Sequence, residues 1–459
     1  MIAKIVHANL NAGGGSERLA IATIEALNEM GFVVDVETCT PLEIENLENS
    51  FGHLNINIKK VKRLDLLSNF SNLDTNASNY DSYYDVIINT HGDVLPYLYQ
   101  NSDNNCSACK TNVADNSNVL HTKKTVMITY CHYPMLPYCV KTREYINFLR
   151  KYIKFAETKG SNIDNTIIDR LLSNAHLLYD KMMTNTIILT NSEFSKRAIK
   201  LLYKNIEEPI VLSPPVDVET FRRAALYSKE EERENTILVV SRFNAGKQIE
   251  NAIRIAKILY EKKKIHYNMI IVGNIHNSDI EYLDFLIGMI NGYGLKNYVK
   301  LEVGASFERL LHLMSKSKVY LHPLAGEPFG ISVAEAMAAG LIPVVPHVGG
   351  NSEFVPQQYH YSTLEEAAEI IEDALLLRNR DFKITNNKIN NDTISEYNLR
   401  VNLSKMVLGL SMENYKINFR KIIDCLLRRK EKEEIPLLKQ QNSQKVKEAR
   451  MIEGEEISS

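Results

Sequence analysis

The alternation of short apolar strands with helical segments constrains the fold of this chain more than any other feature of its sequence. In the first half, the predicted strands are 4–8, 33–37, 85–89, 126–130 and 186–190. In the second half, they are 237–241, 269–273, 299–302, 319–322 and 343–346. Helical segments separate these strands, an order that is typical of parallel sheets covered by helices. The sequence therefore predicts an α/β protein with two doubly wound halves.

The length of the chain and one pair of prolines predict two domains. A chain of 459 residues is too long for one ordinary core. Pro214 and Pro215 interrupt regular structure between the two halves and mark the predicted linker. We predict an N-terminal domain over 1–213, a second domain over 214–410 and a solvated, charged tail over 428–459.

Charge and hydropathy exclude several classes of protein. The formal net charge is −2, which argues against a nucleic-acid-binding protein. The chain lacks an apolar run of about eighteen residues, the length that a membrane-spanning helix needs. Its first six residues lead directly into a predicted strand and do not resemble a signal peptide. These observations favour a cytoplasmic protein.

The cysteines do not form the pattern of a secreted disulfide scaffold, because six of them are spread over 459 residues. Cys106 and Cys109 form one CxxC pair, and Cys131, His132 and Cys139 follow at a spacing that does not fit a second zinc-binding pair. A disulfide between Cys106 and Cys109 and a zinc site stay open as alternatives. We expect most of the cysteines to be ordinary thiols and predict no metal site.

Two carboxylates mark a predicted binding site in the second half. Glu327 and Glu335 lie eight positions apart, directly after the apolar strand 319–322. A helix of small residues is predicted over 332–339, and Gly340 ends it. Open α/β sheets bind ligands at the carboxyl ends of their strands, so this segment is predicted to contact a ligand.

Basic residues follow a neighbouring predicted strand. Arg242 comes directly after strand 237–241, and Lys247 is predicted to open the next helix. Together with helix N-terminal amides they could bind a diphosphate, although such a pair can also be solvated surface charge. Carboxylates accept hydrogen bonds from sugar hydroxyls, and Gly349-Gly350 lets the backbone approach a ligand closely. The combination predicts a nucleotide-sugar site.

At these residues the chain resembles the retaining glycosyltransferases of family four. The resemblance is carried by the motifs 241–247, 327–335, 349–353, 214–217 and 191–195. It implies the GT-B fold, in which two Rossmann-like domains face each other across a central cleft. It also implies that the helix at about 411–427 returns to the N-terminal domain, and that the linkers act as a hinge.

The same resemblance implies roles for individual residues. Catalytic roles are expected for His132, Arg242, Lys247 and Glu327. The donor-binding residues are expected to be Gly14, Gly15, Arg242, Lys247, Glu327, Phe329, Gly330, Ile331 and Glu335. No metal or other cofactor is expected, because the basic groups would stabilise the departing diphosphate. The acceptor would attack from the face that the diphosphate leaves, without a covalent enzyme intermediate.

Two N-terminal motifs narrow the implied substrate. Residues 11–18, which contain Gly13-Gly14-Gly15, and residues 130–134, which contain His132, resemble α-1,2-mannosyltransferases of the dolichol pathway. This resemblance implies GDP-mannose as donor and a glycan or polyprenyl-linked oligosaccharide as acceptor. A dinucleotide site with Glu37 on a ribose is the alternative interpretation of the glycine loop, but Arg18 occupies the position of the third glycine.

The segment 141–155 mixes basic and aromatic residues at helical spacing. It could face an anionic membrane surface, or it could pack on its own domain. The basic run 59–63 is expected to be a solvated face. Two other functions stay open: a nucleotide-sugar epimerase of GT-B-like fold, and a nonenzymatic nucleotide-sugar-binding subunit.

Overall fold

The computed structural model describes residues 1–52, 54–64, 83–92, 125–134, 182–203, 205–227, 233–262, 266–376 and 396–429. The predicted helix 141–155, Cys106, Cys109, Cys139 and tail residues 430–459 lie outside these ranges. Within them, Cys39 and Cys425 are free thiols. The helices of the described ranges are all too short or too polar to span a lipid bilayer.

The first sheet is formed by β1 (Ile2–Val6), β2 (Val33–Thr38), β3 (Ile58–Arg63), β4 (Val86–Asn89), β5 (Val126–Cys131), β6 (Ile187–Thr190) and β7 (Ile210–Val211). Its strand order is β3-β2-β1-β4-β5-β6-β7. The pairings of β1 with β2 and with β4, of β2 with β3 and of β4 with β5 are all parallel. The order reverses between β1 and β4, which is where doubly wound sheets bind ligands.

The second sheet is formed by β8 (Glu234–Val240), β9 (Asn268–Gly273), β10 (Val299–Val303), β11 (Ser317–Leu321), β12 (Ile342–Pro346) and β13 (His360–Tyr361). Its order is β10-β9-β8-β11-β12-β13, and its pairings are parallel. Its strand order reverses between β8 and β11, just as the strand order of the first sheet reverses between β1 and β4. The predicted α/β class with two doubly wound sheets is confirmed.

The helices are α1 (Gly15–Glu29), α2 (Ile44–Phe51), α3 (Glu193–Leu202), α4 (Val218–Tyr227), α5 (Ile249–Lys262), α6 (Ile280–Gly292), α7 (Phe307–Lys316), α8 (Ile331–Ala338), α9 (Leu364–Leu376), α10 (Glu396–Met406) and α11 (412–429). Gly340 ends α8 as predicted, with a φ of 77°. Its amide donates to Met337 O, and the amide of Leu341 donates to Ala336 O.

The small residues of α8 place this helix in the core of the second sheet's domain. Its residues from Val333 to Ala338 are buried, and the helix packs against α4 and α10. The adjacent strand β12 is buried along its whole length. A continuous apolar run is what a parallel strand covered on both faces requires. The loop before α8 is therefore held on a rigid support.

The chain forms two compact units. The first comprises Met1–Leu189, Leu202–Pro209 and Lys416–Ser459, and the second comprises Thr190–Leu201 and Ile210–Tyr415. Within the first unit, Lys416 Nζ on α11 lies 2.6 Å from Glu29 Oε1 on α1, and Arg420 also pairs with Glu29. Within the second unit, the amide of Val216 donates to Leu410 O across 3.0 Å.

The basic run 59–63 is an edge strand, which the sequence did not predict. Four of its five residues are exposed as expected and Lys62 is partly buried, but they form most of β3 at the edge of the first sheet. Lys60 lies opposite Asp35 and Lys62 opposite Glu37 on β2. Lysines on an edge hinder pairing with another chain.

Candidate active site

The basic residues after β8 lie in a short turn. Arg242 is exposed, and the buried ring of Phe243 anchors the backbone beside it. Lys247 was predicted to open a helix, but it ends the 3-10 turn Ala245–Lys247, and α5 begins two residues later. Gln248 between them has a φ of 52°, a left-handed conformation that redirects the chain.

The Lys247 ammonium pairs with the first carboxylate of the predicted site. Its Nζ lies 3.1 Å from Glu327 Oε2 and donates a hydrogen bond to it. His322, which directly follows β11, places Nε2 3.4 Å from the same oxygen without the alignment of a hydrogen bond. The strand ends of β8 and β11 thus bring together groups that are 80 residues apart in sequence.

These neighbours determine the protonation of Glu327. Burial by itself would raise the pKa of the Glu327 carboxyl, but the His322 imidazole and the Lys247 ammonium together outweigh burial and lower this pKa to about 2. Glu327 is therefore ionised at neutral pH. An ionised carboxylate can hold an ammonium group and accept hydrogen bonds from sugar hydroxyls at the same time.

The glycine pair Gly349-Gly350 lies against the Glu327 loop. The amide of Gly350 donates to Glu327 O across 2.7 Å, and Gly349 bridges to Glu327. A Cβ atom on Gly350 would lie 1.9 Å from Pro328 O. The sequence interpretation attributed these glycines to close approach of a ligand. The structure shows that Gly350 approaches the protein's own backbone, and glycine is required for that reason.

The other donor-binding candidates occupy the loop before α8 and the helix itself. Phe329 is buried and packs on Phe354, with the ring centroids 5.3 Å apart. Gly330 has a φ of 92°, a left-handed conformation that favours glycine, and immediately precedes α8. Ile331 is half-buried, and Glu335 is buried one turn further along the helix.

A second set of contacts within the same unit explains two further motifs. The Ser192 hydroxyl donates to Pro328 O across 2.7 Å and accepts from the Ser195 amide at 3.0 Å. The Glu353 carboxylate accepts from the amides of Glu193 and Phe194, at 3.0 and 2.6 Å. A carboxylate at the first amides of α3 stabilises that helix start. The motifs 191–195 and 349–353 therefore hold the Glu327 loop in place.

Two polar residues that the sequence interpretation missed lie beside this loop. Both ring nitrogens of His322 and both amide atoms of Asn351 are buried and make no hydrogen bond to the part of the chain that the structure describes. Buried polar atoms that lack protein partners usually bind water or a ligand. The sequence did carry a signal for His322, because this residue lies at the end of an apolar strand, much as Arg242 lies directly after its own strand.

The predicted residues of the first unit lie at the ends of its strands and at the start of α1. Gly14 and Gly15 begin α1, and the Gly14 amide donates to Glu17 Oε2 at 2.8 Å. His132 follows β5, and its Nε2 lies 3.0 Å from Thr90 O. A carbonyl oxygen only accepts, so Nε2 carries the proton of the neutral ring. Burial lowers the pKa of His132 and favours that neutral form.

The contribution of the ionised Glu327 carboxylate to stability should depend on pH. Since its pKa falls from an ordinary 4.5 to about 2 on folding, its contribution to stability is complete above about pH 4.5 and is lost as the pH falls towards 2. We expect wild-type protein to lose about 3 kcal/mol relative to Glu327→Gln across this window. Urea titrations of both proteins at a series of pH values measure the difference. A stability difference between the two proteins that stays constant with pH would contradict the lowered pKa of Glu327.

Several known proteins are similar to this chain in sequence. The family model described as "Glycosyl transferases group 1" matches residues 224–390, a range that contains Arg242, Lys247, Glu327 and Gly350. Among curated proteins, GDP-Man:Man(3)GlcNAc(2)-PP-Dol alpha-1,2-mannosyltransferase of Dictyostelium discoideum is 24% identical over 307 residues, 63% of this chain and 60% of that protein. The Homo sapiens protein of the same name is 28% identical over 169 residues, 36% of this chain and 34% of that protein. The chain thus spans less than two thirds of the length of these relatives.

Solved structures share the fold. Sucrose-phosphate synthase from Thermosynechococcus elongatus has a TM-score of 0.60 at 15% identity, covering 94% of this chain and 100% of that chain. Anabaena Alr3699/HepE, solved in complex with UDP and glucose, has a TM-score of 0.58 at 14% identity, covering 93% and 100%. Residues 224–390 thus match the group 1 glycosyl transferase model, and the chain has the two-sheet α/β fold of GT-B glycosyltransferases.

Proposed function

We propose that this protein is a retaining hexosyltransferase of family four. It transfers mannose from GDP-mannose to a glycan or polyprenyl-linked oligosaccharide. The support for mannose and for this acceptor comes from the relatives, whose printed names specify a GDP-Man donor and a PP-Dol-linked glycan. We place the reaction at the cytoplasmic face of a membrane.

The observation that carries the proposal is the contact between Lys247 and Glu327 at the β8/β11 switch point. The ammonium is 3.1 Å from the carboxylate, and their side chains are 28% and 14% exposed. Both groups are thus largely shielded from water but still accessible to a ligand. A cation for a diphosphate and an acceptor for sugar hydroxyls are adjacent, as a nucleotide-sugar donor requires.

In this mechanism the protein acts mainly on the leaving group. Lys247 and Arg242 stabilise the negative charge that grows on the departing diphosphate, and no metal ion is assigned to that step. Glu327 orients the Lys247 ammonium and accepts hydrogen bonds from the transferred sugar. The donor's phosphate oxygen takes the proton of the attacking acceptor hydroxyl. Because the acceptor attacks from the face that the diphosphate leaves, the product keeps the anomeric configuration of the donor.

Ligand-induced stabilisation tests the donor. Full-length protein is heated with GDP-mannose, GDP-glucose, UDP-glucose or ADP-glucose, each at the same concentration. A ligand at about 100 times its Kd stabilises the folded state by about 2.7 kcal/mol, so we expect a clear rise in Tm with GDP-mannose. A larger rise with UDP-glucose or ADP-glucose would overturn the donor assignment.

A transfer assay tests the reaction class. Radiolabelled GDP-mannose is incubated with the protein and a polyprenyl-diphosphate-linked oligosaccharide, and the lipid-extractable label is counted. We expect acceptor-dependent transfer with retained configuration. Conversion of the donor sugar to its epimer in the absence of acceptor would indicate an epimerase. Donor binding without either reaction would indicate a nonenzymatic subunit.

A further inference from the structure

Two histidines and a glutamate converge at the switch point of the first sheet. His7 directly follows β1, His91 follows β4, and Glu17 lies in the first turn of α1. His7 and Glu17 are buried, with 0% and 5% of their surfaces exposed, and His91 is partly buried. The cluster belongs to the first unit, whereas Lys247 and Glu327 belong to the second.

The separations of the donor atoms fit a metal ion. His7 Nε2 lies 3.2 Å from Glu17 Oε1 and 3.3 Å from His91 Nδ1, and all three atoms lie within 4.8 Å of one another. Ligand atoms about 2.0–2.1 Å from a tetrahedral zinc ion are roughly 3.3 Å apart. The two imidazole rings are perpendicular, with centroids 4.7 Å apart, which lets both nitrogens address one point.

Hydrogen bonds around the cluster orient these atoms inward. His7 Nδ1 lies 3.0 Å from Thr90 Oγ1, and that hydroxyl donates to Val6 O. In the tautomer in which Nδ1 donates to this hydroxyl, Nε2 of the neutral ring keeps its lone pair for a metal ion. Metal-binding histidines commonly make such a hydrogen bond through their second nitrogen.

The carboxylate is held in the same way. Glu17 Oε1 accepts from the Ser16 hydroxyl, and Oε2 accepts from the Gly14 amide, both at 2.8 Å. These bonds fix the Glu17 side chain while Oε1 still faces His7 Nε2. Lone pairs of two or three atoms that converge in a buried site repel one another unless a cation lies between them.

We propose that His7, Glu17 and His91 bind a zinc-type divalent metal ion, with the fourth position open to water. Two imidazoles and one carboxylate are a donor set that zinc takes in proteins. The ion would connect the ends of β1 and β4 to the first turn of α1, and so would fix the glycine loop 13–15. This inference departs from the expectation that no metal is bound, and it does not depend on the proposed transfer reaction.

Metal content of the full-length protein tests the site. The protein is incubated with zinc, dialysed and measured by inductively coupled plasma mass spectrometry. We expect about one zinc per chain in wild type and loss of that zinc in His91→Asn. His91 is the most accessible of the three residues, so its replacement should disturb folding least. His276→Asn, a change at an exposed histidine in the second unit, is the control and should keep the metal.

A second variant separates ligation from a general effect on structure. Thr90→Val keeps the shape of a buried residue but removes the acceptor of the His7 Nδ1–H bond. We expect about a 10–100-fold weaker zinc affinity in competition with a chelator dye. Addition of chelator should lower the Tm of wild type and leave that of His91→Asn unchanged. Wild-type protein without stoichiometric metal, and with a Tm that chelator does not change, would overturn the proposal.

Discussion

Lys247→Met is expected to lower kcat of the proposed transfer by about 10²–10³-fold, the usual cost of removing one group that stabilises developing charge. Its ammonium is the partner of Glu327 Oε2 at 3.1 Å, and the variant would leave that carboxylate next to the donor diphosphate without its cation. The measurement is steady-state transfer with saturating acceptor, together with circular dichroism to confirm folding.

Lys262→Met is the matched control for this variant. Lys262 belongs to the same unit, its side chain is 27% exposed compared with 28% for Lys247, and it also forms ion pairs, with Glu369 and Glu372. Its pairs span 3.8 and 4.0 Å at the end of α5, away from the strand ends. Since these pairs do not contact the predicted site residues, this variant should keep its turnover.

A double-variant cycle makes the test more specific. If Lys247 and Glu327 act as one unit, Lys247→Met combined with Glu327→Gln should be hardly slower than the worse single variant. Additive losses would mean that the two residues act independently. Wild-type turnover in folded Lys247→Met would show that the lysine has no part in catalysis.

Gly350→Ala is expected to destabilise the protein by at least about 3 kcal/mol. The added Cβ would lie 1.9 Å from Pro328 O, 2.7 Å from Pro328 C and 2.9 Å from Ser192 Oγ. Two of these atoms are backbone and cannot rotate away. Relief would require separation of the chain at Gly350 from the Glu327 loop, with loss of the 2.7 Å bond from Gly350 N–H to Glu327 O.

Gly288→Ala is the control because the same substitution there has space. Gly288 lies within α6, and a Cβ on it would meet no atom within 4 Å in the described part of the chain. Alanine favours a helix over glycine by about 0.5–1 kcal/mol, so this variant should be at least as stable as wild type. Urea midpoints of both variants and wild type measure the effect. A wild-type midpoint for Gly350→Ala would show that the close approach is absent in solution.

Much of the fold could be predicted from local patterns. Buried parallel strands are nearly continuous apolar runs, and this pattern placed β4, β9 and β12 within one residue of their observed limits. The edge strand β3 was missed because four of its six residues are lysine or arginine, and its pairing with β2 involves residues distant in sequence that a local pattern does not include. Short strands such as β7 and β13 carry too few residues to show a period.

The candidate site could be predicted only as a set of residue types at strand ends. Lys247, Glu327 and Gly350 were identified, but Lys247 was paired with Arg242 and assigned to a helix start. His322 was overlooked because its contribution depends on a carboxylate five positions later that folds back towards it. The roles assigned to these residues, and to His132, Arg242, Glu335 and the other donor-binding candidates, stay predictions.

The sequence by itself determined the strand-helix alternation, the turn at Gly340 and the chemical groups that follow β8 and β11. These depend on residues near one another in the chain, so their physical causes are present in the sequence. Only the tertiary structure decided that Lys247 pairs with Glu327, that Gly350 must be glycine because of Pro328, and that His7, Glu17 and His91 converge. Those contacts follow from strand order and register, which bring distant strand ends to one edge of a sheet.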